Sequence, residues 1–155
     1  MRRVCADTGF LIALYGEEGT QHARASLWFE RLFAGPAHQL LVLWPVLYEA
    51  LNTRLVRNSR QITAMEQEWI KLRKNGQLDY LNDQLYRQDA LDGVFNETRR
   101  PRRSYRALSL ADRVIRALID DVTLSLDVLL TNHESAFHDV CRIRGLELIS
   151  ILRET

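Results

Sequence analysis

The chain predicts a three-layer α/β/α fold built on a central parallel sheet of four to five strands. Short, nearly continuous apolar runs alternate along its whole length with longer segments whose apolar residues recur at helical spacing. Runs of this kind mark strands buried on both faces, and the helical segments between them supply the crossovers that parallel strands need. The 155 residues are enough for one full core, and 46% hydrophobic with 26% charged content is that of a folded globular domain rather than a disordered chain.

The first run, Arg3 to Ile12, reads as a strand over Val4 to Asp7, a turn at Thr8-Gly9 and a short helix through Leu14. Gln21 to Phe33 carries Ala25, Trp28, Phe29, Leu32 and Phe33 on one helical face, and Gly35-Pro36 ends it. Gln39 to Leu43 is the second strand. Pro45 suits the first turn of the helix that follows, which carries Val46, Leu47, Ala50, Leu51 and Leu55. Gln61 to Lys74 is a helix closed by Asn75-Gly76. Leu78 to Leu81 is a third short strand and Gln84 to Phe95 a further helix. A helix from Leu110 to about Asp120 comes next. Val128 to Thr131 and Leu146 to Ser150 are the last two strands, flanking a helix from Glu134 to Arg144. Right-handed crossovers then place helices on both faces of the sheet.

No stretch approaches the roughly 18 apolar residues of a membrane span. Met1-Arg2-Arg3 and the short run after it do not resemble a signal peptide. Cys5 and Cys141 lie far apart and form no Cys-x-x-Cys pattern, so they read as reduced core thiols of a cytoplasmic protein without a membrane partner. In that compartment the Asn96-Glu97-Thr98 sequon carries no glycan. A net charge of +1 does not by itself announce nucleic acid. The exception is local: Arg99, Arg100, Arg102, Arg103 and Arg106 cluster around Pro101 with Tyr105 among them. Such a cluster is either a solvated loop or a set of phosphate contacts.

Three acids sit in apolar settings. Asp7 ends the first strand, where ligands bind in open α/β sheets; its plainer role is to cap the next helix. Glu49 lies in Trp44-Pro45-Val46-Leu47-Tyr48-Glu49-Ala50-Leu51, where an ionised carboxylate must find water, an arginine such as Arg54 or Arg57, or a metal. Asp112 fits a Ser109-x-x-Asp112 capping box and equally a carboxylate at the crevice. Together they suggest a divalent-metal site, since hard cations prefer oxygen ligands. His133, His138, Asp139 and Cys141 match no standard zinc spacing and read as a helix surface. No Gly-rich phosphate loop and no Gly-x-Ser-x-Gly elbow is present.

The elements in order resemble those of PIN-domain ribonucleases. Asp7-Thr8 follows the first strand, and Pro45 to Glu49 forms a Pro-x-x-x-Glu helix after the second. Leu108-Ser109-Leu110-Ala111-Asp112 resembles the family's Leu-x-Leu-Ala-Asp segment, and Leu129-Leu130-Thr131-Asn132 its late strand. Gly145-Leu146-Glu147-Leu148-Ile149 resembles its closing strand. The resemblance covers nearly the whole chain as a single domain over residues 1–155, and the VapC-like toxins of toxin–antitoxin pairs have this size and single-domain layout. It implies a Mg²⁺- or Mn²⁺-dependent endoribonuclease. In it Asp7, Glu49 and Asp112 hold the metal, and Thr8 orients Asp7 or the attacking water. An RNA substrate, an antitoxin protein and a homodimeric state are implied with it. One segment departs from the pattern. In Thr131-Asn132-His133-Glu134-Ser135-Ala136-Phe137, Ala136 stands where the family usually has an acid. Glu134, as a fourth metal ligand, and Asn132, through its carbonyl, are the candidate replacements. The alternative reading is a PIN-like module that binds RNA or protein and cuts weakly or not at all.

Overall fold

The computed structural model describes residues 1–16, 18–98 and 108–153. Five strands, β1 (Arg2–Ala6), β2 (His38–Leu43), β3 (Leu78–Leu81), β4 (Val128–Thr131) and β5 (Glu147–Ser150), form one parallel sheet in the order β3-β2-β1-β4-β5. The three central strands are the apolar runs. Val4, Cys5 and Ala6 are all buried, as are all four residues of β4 and the last four of β2. Both edges expose polar side chains, Asp79 on β3 and Glu147 on β5, which discourages further strand pairing.

Seven described α-helices flank the sheet in three layers: α1 (Thr8–Tyr15), α2 (Thr20–Phe33), α3 (Trp44–Leu51), α4 (Ser59–Lys74), α5 (Gln84–Thr98), α6 (Leu110–Asp120) and α7 (Glu134–Arg144). α1 is apolar all round and buries Phe10, Leu11, Leu14 and Tyr15 beneath α2, α3 and α4, as an enclosed helix must. α6 is strongly amphipathic and buries Ala111, Val114, Ile115, Leu118 and Ile119. None of the helices among the described residues is long and apolar enough to cross a membrane.

The largest departure from the sequence expectation is at the end of the helix after β2. The helix after β2 does not run on to Leu55 but stops at Leu51, and a 3-10 turn over Arg54–Arg57 delivers Leu55 to the core. The Thr53 hydroxyl is the cause. It donates to the Ala50 carbonyl at 2.6 Å and accepts the Leu55 N–H at 3.3 Å, offering the backbone partners that compete with a further helical turn. Asn58 then caps α4 by accepting the Gln61 N–H, which starts that helix two residues earlier than the apolar pattern indicates. Gly76 and Gly145 follow α4 and α7 with φ of 68° and 66°, the left-handed conformation that favours glycine.

The strand order fixes where a ligand can sit. From β1 the chain steps outward to β2 and β3, then returns to place β4 on the other side of β1. The connections leaving β1 and β4 therefore diverge, and a crevice opens at their carboxyl ends. Asp7 ends β1 there, and Thr131 with Asn132 ends β4.

Ser109 caps α6, which supplies Asp112 to that edge. The Ser109 hydroxyl accepts the Asp112 N–H at 3.0 Å, and the Asp112 carboxylate accepts the Ser109 N–H at 3.3 Å. Replacing Ser109 with Ala removes half of this box. Unfolding free energy in urea should fall by about 1 kcal/mol with an unchanged slope.

Candidate active site

The site is built outward from Asp7, which is only 2% exposed. The β1 ladder continues into it, with its N–H donating to the Leu130 carbonyl at 3.0 Å. One carboxylate oxygen, Oδ1, accepts the Phe10 N–H at 2.6 Å and so caps α1. The other, Oδ2, accepts the hydroxyl of Thr131 at the end of β4. Thr131 Oγ1 in turn accepts the His133 N–H at 2.7 Å, which shapes the turn into α7. The capping role foreseen for Asp7 is present, and it coincides with a position at the mouth of the crevice.

Burial pushes the Asp7 carboxyl up from 3.8 to about 6, and the nearby charge of Asp112 adds to the rise. Bonds from the Thr131 hydroxyl and the N–H groups of Phe10 and Asn132 hold it from going higher. Asp112 stands in the first turn of α6, engaged in its capping box, and His133 Nδ1 lies 3.7 Å from its Oδ2. Glu49 comes to the same edge from α3, half-buried. Its Oε2 accepts the Thr8 hydroxyl at 2.7 Å, so its partner is that hydroxyl. Thr8 thus orients Glu49 rather than Asp7.

Asn132 occupies a space that exists because residue 9 is glycine. A Cβ at Gly9 would stand 1.8 Å from Asn132 Oδ1, so any side chain there would evict the amide. Beside this contact opens a cavity of about 580 Å³ bounded by Ile12, Ala13, His22, Thr53 and Leu55.

The donor set of carboxylates and hydroxyls is chemically suited to a hard divalent cation, and the repulsion between Asp7 and Asp112 is what such an ion relieves. As the side chains stand, however, no group of three or more His, Cys, Asp or Glu residues among the described residues is placed to hold a metal. Each acid is instead turned to an internal donor. Glu134 points elsewhere. Its two oxygens take both Nε and Nη2 of Arg153, an arrangement that directs the carboxylate to the C-terminal segment. As the side chains stand, the carboxylate expected as a fourth ligand is ion-paired with Arg153. His138 and Asp139 share a shallow cavity with His133, but Cys141 is buried in the core and Arg116 grips Asp139 through two bonds at 2.7 and 2.9 Å. Arg99, Arg100, Arg102, Arg103 and Arg106 lie outside the described residues.

Two contributors were not singled out from sequence. Thr131 reads as one more residue of an apolar strand, although a buried hydroxyl ending Val-Leu-Leu-Thr signals a partner across the sheet edge. Gly9 reads as a turn residue, whereas its function is to make room for Asn132.

The raised Asp7 pKa has a defined sign. The folded state binds this proton more tightly than the unfolded chain. Its contribution to stability is therefore full below about pH 4 and is lost as pH rises through about 6. That loss amounts to about 3 kcal/mol for a shift of this size. Asp7→Asn should flatten stability across this window and leave the protein at least as stable at neutral pH, as chemical denaturation over a pH series reads directly. An unaltered pH profile would mean that Asp7 is ordinary in its titration. No protein-family model matches the chain and no curated protein matches it, so the functional reading rests on these residues.

Proposed function

We propose that the chain is a PIN-like, metal-dependent endoribonuclease that hydrolyses RNA phosphodiester bonds. The observation that carries this reading is the meeting of Asp7 and Asp112 at the β1/β4 switch point, close enough for one charge to raise the other's pKa. Each acid caps its own helix, and a phosphodiester hydrolase needs an anionic edge of this kind for a cation. Mg²⁺ or Mn²⁺, when bound, activates water and neutralises charge on the scissile phosphate.

The chain's own groups divide the remaining work. Asp7 and Asp112 are the principal ligands. Glu49 is the third, and the Thr8 hydroxyl keeps its carboxylate at the edge until it is needed. The Thr131 hydroxyl fixes the Asp7 rotamer from β4. Asn132, held over Gly9, presents an uncharged amide to the substrate. The arginines between 99 and 106 contact the RNA backbone, as the sequence expectation has it. The toxin role, the antitoxin that would cover the cleft and the homodimer rest on the sequence resemblance. A reduced, cytoplasmic setting agrees with two free buried cysteines.

The second reading, an RNA- or protein-binding module that does not cut, is favoured by the commitment of Glu134 to Arg153 and by the lack of a three-ligand group among the described residues. The two readings part in one experiment. Purified protein with single-stranded RNA should cleave in Mg²⁺ or Mn²⁺, stop in excess EDTA and resume on adding metal. Asp7→Asn should lose at least 100-fold in rate, on the order of 3 kcal/mol of barrier, while melting no lower than the parent. Thermal melting with Mn²⁺ should show mass-action stabilisation in the parent and less in the variant. Cleavage in excess chelator, or normal cleavage by Asp7→Asn, would falsify the mechanism. RNA binding with neither cleavage nor metal stabilisation establishes the module instead.

A further inference from the structure

A row of aromatic rings runs along the carboxyl ends of β2 and β3. Trp44, the first residue of α3, stacks on Tyr80 of β3 with centroids 5.8 Å apart and planes 22° from parallel. Tyr48, one turn along α3, lies 5.8 Å from Trp44, and Trp69 of α4 backs Tyr80 at 6.1 Å. Trp69 is buried, but Tyr80 is 36%, Trp44 40% and Tyr48 67% exposed. The core therefore uses one end of the row and leaves the other in water. Cations accompany it. The Arg73 guanidinium sits 5.7 Å from the Tyr80 ring centroid. Arg87, on the next helix, is ion-paired with the buried Asp83 carboxylate at 2.8 Å.

We infer that this row is a stacking platform for the unpaired bases of a single-stranded RNA that flank the cleaved bond. The inference rests on the ribonuclease reading and adds to it the surface that holds the unpaired bases. A single strand alternates flat π-faces with phosphate anions, and the surface alternates exposed rings with guanidiniums. Bases inside a duplex are already stacked on one another and cannot use it. The platform also has the right place. Trp44 follows directly on β2, and Tyr48 immediately precedes Glu49, whose carboxylate takes the Thr8 hydroxyl beside Asp7. The same helix thus carries the outermost ring of the row and one acid of the edge.

The test measures binding without cleavage. A fluorescently labelled single-stranded oligoribonucleotide is titrated with the protein in excess EDTA, and anisotropy reports affinity for the parent, Trp44→Leu and Tyr48→Leu. Leucine keeps apolar bulk and removes the ring. Each variant should bind roughly 5- to 150-fold more weakly, the range expected for losing one base–aromatic stack. A blunt duplex containing the same strand should bind parent and variants alike. Light scattering should give all three proteins the same mass. Tyr48 is so exposed that its variant tests the inference even if Trp44→Leu does not fold. Unchanged single-strand affinity in Tyr48→Leu overturns the platform. A halved mass in either variant overturns it too, in favour of an interface between copies of this chain. Ring-dependent binding in a protein that never cleaves keeps the platform and removes the nuclease. Metal-dependent cleavage with ring-independent binding does the reverse.

Discussion

The bond between the Thr131 hydroxyl and the Asp7 carboxylate joins the two strands between which the sheet changes direction. A carboxylate with almost no access to water must find donors, and Asp7 finds them on both sides of the switch point. Through Phe10 it starts α1, the helix on which α2, α3 and α4 all pack. Through Thr131 it reaches β4, and through the same hydroxyl the N–H of His133 at the head of α7. The crevice is thus not an indentation left after folding. Its floor is tied across by a polar link between the ends of β1 and β4.

Local rules and site chemistry use the same atoms along this edge. Asp112 closes its own helix with Ser109 and still presents charge to Asp7. Glu49 is held half-buried by a neighbouring hydroxyl. An isolated sequence window assigns each acid a capping or surface role, and two of those assignments are correct as far as they go. The information that separates a cap from a site is three-dimensional: which caps face one another. Helix starts and strand ends share the carboxyl edge of a parallel sheet, so capping acids accumulate there, and a functional centre is assembled from groups the fold already needs.

The three central strands were legible because burial on both faces writes itself as uninterrupted apolar residues, and two helix ends because Ser109 and Gly76 are strong local signals, whereas the Asn58 cap was passed over. The misplaced helix end at Leu51 has a local cause as well, but a weaker one: Thr53 stops the helix with its hydroxyl, while Leu55 keeps the apolar period and disguises the stop. The pairing of Glu134 with Arg153 was not legible, since its partner lies nineteen positions away in the segment after β5. The seat of Asn132 on Gly9 spans the whole switch point and leaves no mark in either local sequence. Long-range side-chain partners decide the finer chemistry of the site, and these are what periodicity cannot encode.

Capping at Asp7 leaves capacity for the metal ligation proposed for it. An ionised carboxylate offers about four lone-pair directions. The bonds from Phe10 and Thr131 occupy one on each oxygen. What those two bonds remove is freedom of rotation, because the carboxylate is tied at both ends to elements that cannot move independently of the core. A ligand held in that way loses little entropy when it binds, and its burial keeps water from screening the charge it offers. Glu49 is the contrasting case. It hangs from a single hydroxyl on a half-exposed side chain, and the proposed metal site requires it to turn from Thr8 toward the other two acids. In the mechanism proposed above the rigid ligand comes from a strand end and the adjustable one from α3, the helix that also carries Trp44 and Tyr48.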